Sequence, residues 1–482
     1  MPPRFDLRAA AHQAMLDNKF VPDFPPDVLA EAASASPVSP AASANIADMR
    51  DLHWSSIDND SSRDLDQLEV AEQLEGGDVR VRVAIADVDG TVNRGSATDK
   101  FASANAVSVY TGVVTYPMLP ERLSTNLTSL GQNSDRSSIV IEFVAGSDGS
   151  IRSHTVYPAL VRNQAKLAYG NVGAWLDGRA DLPAGVTPQV QDQIRLQDKV
   201  AESLRTVRAK AGALDLDTID AQAVVHSDDT VGIESVPRTR ASALIEDFMI
   251  AANVAMAQFL DEQGSSSMRR IVRKPRRWAR IVELAATVGT TLPSEPDSHA
   301  LESFLVARRA ADPDHFPDLS LSIVKLLGPG EYVLHTPGGA HAGHFGLAAP
   351  DYTHSTAPNR RFADLVIQRL LKAVVSKTAA PYSDDELTVI AAHCTEREDA
   401  ARNVERQVRK VAAAVSMLNR IGQSFDAIIT GVTPKGTFAR VIAPPIEGRI
   451  VRGEEGLDVG DKTRVTLLST DPDRGFVDFA AG

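Results

Sequence analysis

Apolar positions recur with two different periods along this chain, and the change of period marks its organisation. Leu7, Ala10, Ala14 and Met15 fall roughly on one helical face, so residues 1–30 read as helical. Residues 31–46 are rich in Ala, Ser and Pro and read as a linker. From residue 46 to 210 short strands and helices are mixed. Residues 79–87 alternate and are β-branched, and residues 138–145 run into a turn at Asp148-Gly149, so both read as strands. From residue 242 to about 423 long helices dominate. Residues 243–260 are apolar nearly all round, as in a helix at the centre of a core. Helices over 359–376 and 384–421 follow, the latter expected as two. Beyond Ser424 the period shortens to two: residues 427–433, 436–442, 447–451, 463–469 and 475–479 read as five strands. Turn signals at Pro434-Lys435-Gly436 and Gly460-Asp461 separate them, and so many short strands predict a small Greek-key barrel of the OB type. No internal repeat is visible.

Composition changes this picture little. The 482 residues suggest about three domains, and an apolar content of 43% with 23% charged is ordinary for a soluble globular protein. No segment reads as membrane-spanning, since 243–260 is interrupted by Glu246, Asp247 and Asn253, and the N-terminus lacks an apolar run of signal type. Cys394 is the single cysteine; it excludes an intramolecular disulfide or a cysteine metal site, points to a reduced, cytoplasmic compartment, and reads as a small buried hydrophobe. A net charge of −13 argues against a nonspecific nucleic-acid coat protein, but not against a nuclease, in which only the groove need be positive.

Charge becomes informative at Ser56-Ile57-Asp58-Asn59-Asp60-Ser61-Ser62-Arg63-Asp64-Leu65-Asp66-Gln67, which places four carboxylates within nine residues. Like charges this close repel, and a fold that holds them together usually supplies a cation. Hard oxygen donors suit magnesium, which takes one or two carboxylates and leaves positions for water and phosphate. A solvated acidic loop is the plainer alternative; an EF-hand is excluded by spacing and by the missing terminal Glu.

The loop does not stand alone. Val107-Ser108-Val109-Tyr110 and Tyr116-Pro117-Met118-Leu119-Pro120-Glu121-Arg122-Leu123-Ser124 follow it. Then come Leu244-Ile245-Glu246-Asp247-Phe248-Met249, Gly343-His344-Phe345-Gly346-Leu347, and Tyr352-Thr353-His354-Ser355-Thr356-Ala357-Pro358-Asn359-Arg360-Arg361-Phe362-Ala363-Asp364-Leu365. In this order and spacing they resemble the catalytic domain of the ribonuclease II (RNB-domain) family of 3′→5′ exoribonucleases. The resemblance runs from about residue 51 to 408, takes in Ala392-His393-Cys394-Thr395-Glu396-Arg397-Glu398 and Glu405-Arg406, and is extended by the barrel.

The resemblance implies a mixed α/β catalytic domain over 47–423, preceded by a short helical segment and linker (1–46) and followed by an all-β OB-fold RNA-binding barrel (424–482). It implies Mg2+ as cofactor, held by Asp58, Asp64, Asp66 and the position of Gln67, where the family's usual fourth acid is missing. Asp66 and Arg360 match catalytic positions. Tyr110 matches an aromatic that stacks on the terminal base; Tyr169 and Glu246 match positions near the terminal ribose; Arg360, Arg361 and Phe438 complete the RNA-binding set. Each has a plainer alternative: a core tyrosine for Tyr110, pairing inside the core for Glu246, and pairing with Asp364 for Arg361 or Arg360. Residues 268–280 carry seven Lys or Arg plus Trp278 and are a candidate channel lining or a solvated face. Lys435, Arg440, Arg449, Arg452 and Arg464 surround Phe438 in the barrel. His344 and His354 read as structural. The expected activity is hydrolysis of single-stranded RNA to nucleoside 5′-monophosphates by a monomer, with no membrane or protein partner. The rivals are a catalytically weak or inactive RNA-binding protein that keeps the fold, favoured by Gln67, and a phosphodiesterase acting on DNA or small nucleotides.

Overall fold

A computed structural model describes all residues except 1–4, 38–45, 218–219, 226–230, 314, 340–342 and 435. Half of the expected linker (38–45) and Lys435 therefore lie outside the described residues, and the start of that linker, 31–34, is the end of a helix. The Asp6 carboxylate accepts from the N–H groups of Arg8 and Ala9 and opens α1 (Leu7–Asp17); α2 (Pro26–Ser34) begins on a proline whose missing N–H costs nothing there. Lys19 at φ 61° separates them, so the expected helical run is two helices.

A seven-stranded mixed sheet carries the first half of the chain. Its first strands are β1 (Ala47–Asp48), β2 (Ser55–Asp58), β3 (Gln67–Gln73) and β4 (Val79–Ala86), followed by α3 (Ala97–Asn105) and the small hairpin β5 (Val109–Tyr110) and β6 (Thr115–Tyr116). The sheet is completed by β7 (Asp135–Ala145), β8 (Ile151–Arg162) and β9 (Ala165–Ala168) in the order β1-β8-β7-β4-β3-β2-β9. β-Branched residues fill β4 and β7, which sit mid-sheet and bury both faces.

Helices α4 (Tyr169–Leu176) and α5 (Pro188–Lys210) lead through a hairpin, β10 (Asp220–Val225) and β11 (Val231–Val236), to α6 (Arg240–Glu262), which packs on β2, β7 and β8. By length and composition α6 could cross a membrane, yet 72% of its apolar window is buried inside the protein, and its Asp247 is paired with Arg205 and Arg208; it is a core helix. Next come β12 (Ser267–Ile271), α7 (Trp278–Thr287), α8 (Ser298–Ala311), α9 (Phe316–Leu327), β13 (Glu331–His335), which pairs with β12, and α10 (Phe362–Ser376).

The segment expected as two helices is one, α11 (Asp384–Met417, 34 residues), opened by a capping box of Ser383 and Glu386. Its successive stretches enter different cores: Leu387, Ala391 and Cys394 join the sheet core, Ala401, Val404 and Val408 pack with α1, and Val411 to Met417 pack with the barrel. The barrel closes as β14 (Ser424–Thr433), β15 (Gly436–Val441), β16 (Glu447–Arg452), β18 (Phe476–Ala481) and β17 (Lys462–Asp471), each strand at its expected place.

Candidate active site

The acidic loop joins the adjacent ends of β2 and β3, and its shape is set by backbone hydrogen bonds. The Leu65 N–H donates to Ser129 Oγ (3.1 Å), Ser129 Oγ donates to the Arg63 carbonyl (2.8 Å), and the Leu130 N–H donates to the Leu65 carbonyl (2.9 Å). With Leu65 clamped in the core, Asp66 is buried beside it, Asp64 is half-buried, and Asp60 points to solvent.

The opposite wall is the segment before α10. Buried Asn253 accepts from the N–H (2.8 Å) and hydroxyl (2.9 Å) of Ser355, and the N–H of Ser108 donates to the Arg360 carbonyl (3.0 Å). So stitched, the chain aims the Asn359 N–H at Asp66 Oδ1 (3.0 Å) and leaves Asp66 Oδ2 buried with no hydrogen-bond partner, 3.6 Å from Arg360 Nε. Arg360 precedes the helix rather than lying in its first turn, and 45% of its side chain is exposed. Tyr110, also well exposed, donates from its hydroxyl to Asp64 Oδ2 (3.3 Å), while its N–H donates to Glu405 (3.1 Å).

Electrostatics bind these groups into one site. Burial pushes the Asp66 carboxyl up to about 7, against the pull of Arg360 and the Asn359 N–H. Burial likewise raises Asp58, with Arg360 and the Asn59 N–H opposing it. The Tyr110 and Tyr169 phenols are raised by burial and then by neighbouring carboxylates, Asp64 for Tyr110 and Asp58 for Tyr169. The site holds an excess of buried negative charge that one guanidinium does not balance. Its oxygen donors, one with an orphaned lone-pair face, fit a hard divalent cation. Among the described residues no three acid, His or Cys side chains close into a ready-made cage.

Other expected site residues stand elsewhere. Arg361 is committed to the buried Asp364 carboxylate (2.8 Å), because it occupies the cap position of α10 with that acid three residues on. Glu246 lies on the exposed side of α6 and pairs with Arg238 (2.8 Å), so it does not share a buried polar face with Asn253, whose hydrogen bonds are structural. Phe438 is half-buried on β15, and Arg440 beside it is tied to Asp318 of α9 (2.8 Å), leaving Arg449, Arg452 and Arg464 exposed. The basic run 268–280 is no single patch: Arg269 and Arg270 are buried, Arg270 pairs with Glu398, and Arg273 and Arg280 have surface partners. His344 caps a short helical turn through its ring and His354 bonds the Tyr332 hydroxyl (2.7 Å), both structural as expected.

Sequence reading missed two contributors and one unpartnered acid nearby in sequence. Asn359 acts through its backbone, which no side-chain pattern reveals. Glu405 lies 295 residues from the tyrosine it holds. Glu69 is fully buried two residues beyond Gln67, so strand alternation could have flagged it; burial lifts its carboxyl well above the usual range, and Asp58 adds to the shift.

The sequence pattern of the RNB domain family matches residues 46–377, and that of the RNase II-type exonuclease C-terminal S1 domain matches residues 423–482. Ribonuclease R of Escherichia coli is 31% identical over 429 residues, covering 85% of this chain and 51% of that protein. The chain thus spans about half the length of the curated relatives it matches. Mycoplasma genitalium RNase R in complex with ribose methylated single-stranded RNA superposes with a TM-score of 0.89 at 24% identity, covering 99% of this chain and 78% of that one. Yeast Ssd1, described as a pseudonuclease, superposes with a TM-score of 0.74 at 17% identity, covering 96% and 57%.

Proposed function

From the premise that the chain belongs to the RNB-domain family, we propose that it is a magnesium-dependent 3′→5′ exoribonuclease. It acts on single-stranded RNA, as a monomer in a reducing cytoplasm, and releases nucleoside 5′-monophosphates. The observation that carries this reading is the pairing of an exposed, substrate-accessible Arg360 with a buried Asp66 whose outer oxygen has no hydrogen-bond partner.

The chain's own residues divide the work. Asp58, Asp64 and Asp66 would hold the cation, with Asn359 fixing the rotation of the Asp66 carboxylate. When bound, the ion supplies positive charge against the scissile phosphate and polarises water. Arg360 draws in the same phosphate and neutralises charge that builds on its oxygens as the P–O3′ bond breaks. Tyr110 offers a π-face at the rim, where stacking accepts any base. Its hydroxyl bond to Asp64 and its N–H bond to Glu405 fix the ring before RNA arrives. Tyr169, at the start of α4 and with its phenol raised by burial and then by the Asp58 carboxylate, would meet the terminal ribose. The barrel, with its exposed arginines, extends the contact with longer strands.

Incubation with 5′-labelled oligo-RNA and Mg2+ tests the reading. A ladder that shortens from the 3′ end is expected. Binding without cleavage would favour the inactive RNA-binding reading, for which Gln67 is the motivating residue, and equal digestion of DNA would favour a broader phosphodiesterase.

A further inference from the structure

Asp66 and Asn359 meet across 293 residues of chain, and both walls of the site are fastened to one stretch that belongs to neither. Between a π-helical turn, Leu123–Leu127, and β7, the chain runs through Thr128, Ser129 and Leu130, all three buried. Ser129 and Leu130 hold the acidic loop at Arg63 and Leu65. Thr128 faces the other wall: its hydroxyl lies 2.5 Å from Asn359 Oδ1 and 3.0 Å from the Leu123 carbonyl. That carbonyl already accepts the Thr128 N–H (3.0 Å), so the hydroxyl proton goes to the shorter contact.

The stretch is itself anchored to the sheet. From β7, Arg136 donates to the carbonyls of Ser129 (2.9 Å), Asn126 (3.0 Å) and Asp135 (3.0 Å), and the Asn163 side chain donates to the Leu130 carbonyl (3.0 Å). A buried hydroxyl is costly unless it is bonded, and here two consecutive ones reach to opposite walls. Asn359 is thereby held twice, by its N–H on Asp66 Oδ1 and by its side-chain oxygen on Thr128, and Arg360 follows it directly. An ion on the aspartates and the Arg360 guanidinium must act on one phosphate, and a misplacement of about 1 Å can cost about 10²-fold in rate.

We propose that Thr128 and Ser129 are positioning residues that set the gap between the cation-binding acids and Arg360. This rests on the metal-dependent exonuclease reading above. The two act through different neighbours: Ser129 reaches the acids through Arg63 and Leu65, and Thr128 reaches Arg360 through Asn359. Loss of each hydroxyl therefore has its own signature.

Steady-state cleavage of 5′-labelled oligo-RNA with Mg2+, together with Mn2+ titration followed by electron paramagnetic resonance of the free ion, separates the two arms. Thr128→Val keeps the shape and removes the hydroxyl. Its kcat is expected to fall about tenfold or more, with KM and Mn2+ affinity within about twofold of the parent. Thr128→Ser returns the hydroxyl and is expected to recover most of that kcat, which a role in packing alone would not produce. Ser129→Ala is expected to weaken Mn2+ binding about tenfold, since Asp64 and Asp66 flank the residue it releases. Thr128→Ala, with the same rescue by Ser, carries the test if the Val variant fails to fold. A Thr128→Val kcat within about twofold of the parent, a Thr128→Ser variant as slow as Thr128→Val, or Mn2+ affinity of Ser129→Ala within about twofold of the parent overturns the proposal while leaving the exonuclease reading standing. A parent chain that neither binds Mn2+ nor shortens RNA removes both.

Discussion

The two ends of strand β3 treat charge in opposite ways. At its far end Glu72 receives Arg80 and Arg82 (each 3.1 Å), and Arg82 also meets Glu142 (2.8 Å), which accepts from the Tyr157 hydroxyl (2.7 Å). Every acid there has a partner, and the arginines and the Arg82 bond hold Glu72 below its ordinary range despite some burial. At the near end Glu69 is buried with no hydrogen-bond partner, and Asp66, just before the strand, is buried with the Asn359 N–H on one oxygen and only the half-exposed Arg360 near the other. The same strand therefore carries a network that holds the sheet and a cluster that strains it. Acids answered only in part at greater depth are what the proposed cation site would require.

Asp66→Asn should break this contrast most sharply. Turnover is expected to fall by about 10³-fold, because the lost charge serves the transition state more than ground-state binding. RNA affinity in filter binding should stay nearly unchanged, and near-normal turnover would remove Asp66 from the mechanism. The neighbouring arginines extend the contrast to adjacent residues. Arg360→Ala should lower kcat by about 10²-fold with stability intact. Arg361→Ala should instead strip the partner from buried Asp364 and cost about 3–5 kcal/mol in denaturant titration. Equal behaviour of the two would erase the distinction drawn between them.

At the paired end, Arg82→Met should cost about 1–3 kcal/mol of stability, since it leaves Glu142 and Glu72 with Arg80 as their shared arginine, while kcat per folded molecule stays at the parent value. The smallest effect is one of pH. Burial raises the Asp66 carboxyl from 3.8 to about 7, so between those values the folded protein keeps a proton that the unfolded chain has released. Stability then falls as pH rises through that window. Asp66→Asn never ionises. In chelator its melting temperature is expected to exceed the parent's by a few degrees above about pH 7 and to match it below about pH 4, with added Mg2+ narrowing the gap. A gap of the same size at both pH values would mean that ionisation of Asp66 is not its source.

Where local pattern decides, the sequence was readable. The five barrel strands, the core helix α6 and the acidic loop follow from alternation, all-round apolarity and charge spacing. Arg360 and Arg361 could not be separated, because i,i+3 spacing to Asp364 allows pairing without requiring it; the N-cap geometry of α10 decides in favour of Arg361. The break expected within 384–421 does not fall inside α11, since tertiary cores support that helix along its whole length. The exposure of Glu246, where pairing inside the core was one expectation, has a related reason. A helix that is apolar nearly all round gives no sign of which narrow stripe reaches solvent.

Helix α11 also governs how the molecule comes apart. Its 34 residues span about 51 Å, and they form a wall of the sheet core, of the α1 contact and of the barrel core in turn. A cut near residue 423 would not release two self-sufficient bodies, because it would bare Val411, Ala412, Ala413, Ala414 and Met417, together with Leu7 of α1. Barrel and catalytic body should therefore unfold in one calorimetric transition. Midway along that wall, Glu405 holds the backbone of Tyr110. Loosening the barrel end should thus surface as lost order at the tyrosine of the opposite rim before it surfaces as lost chemistry.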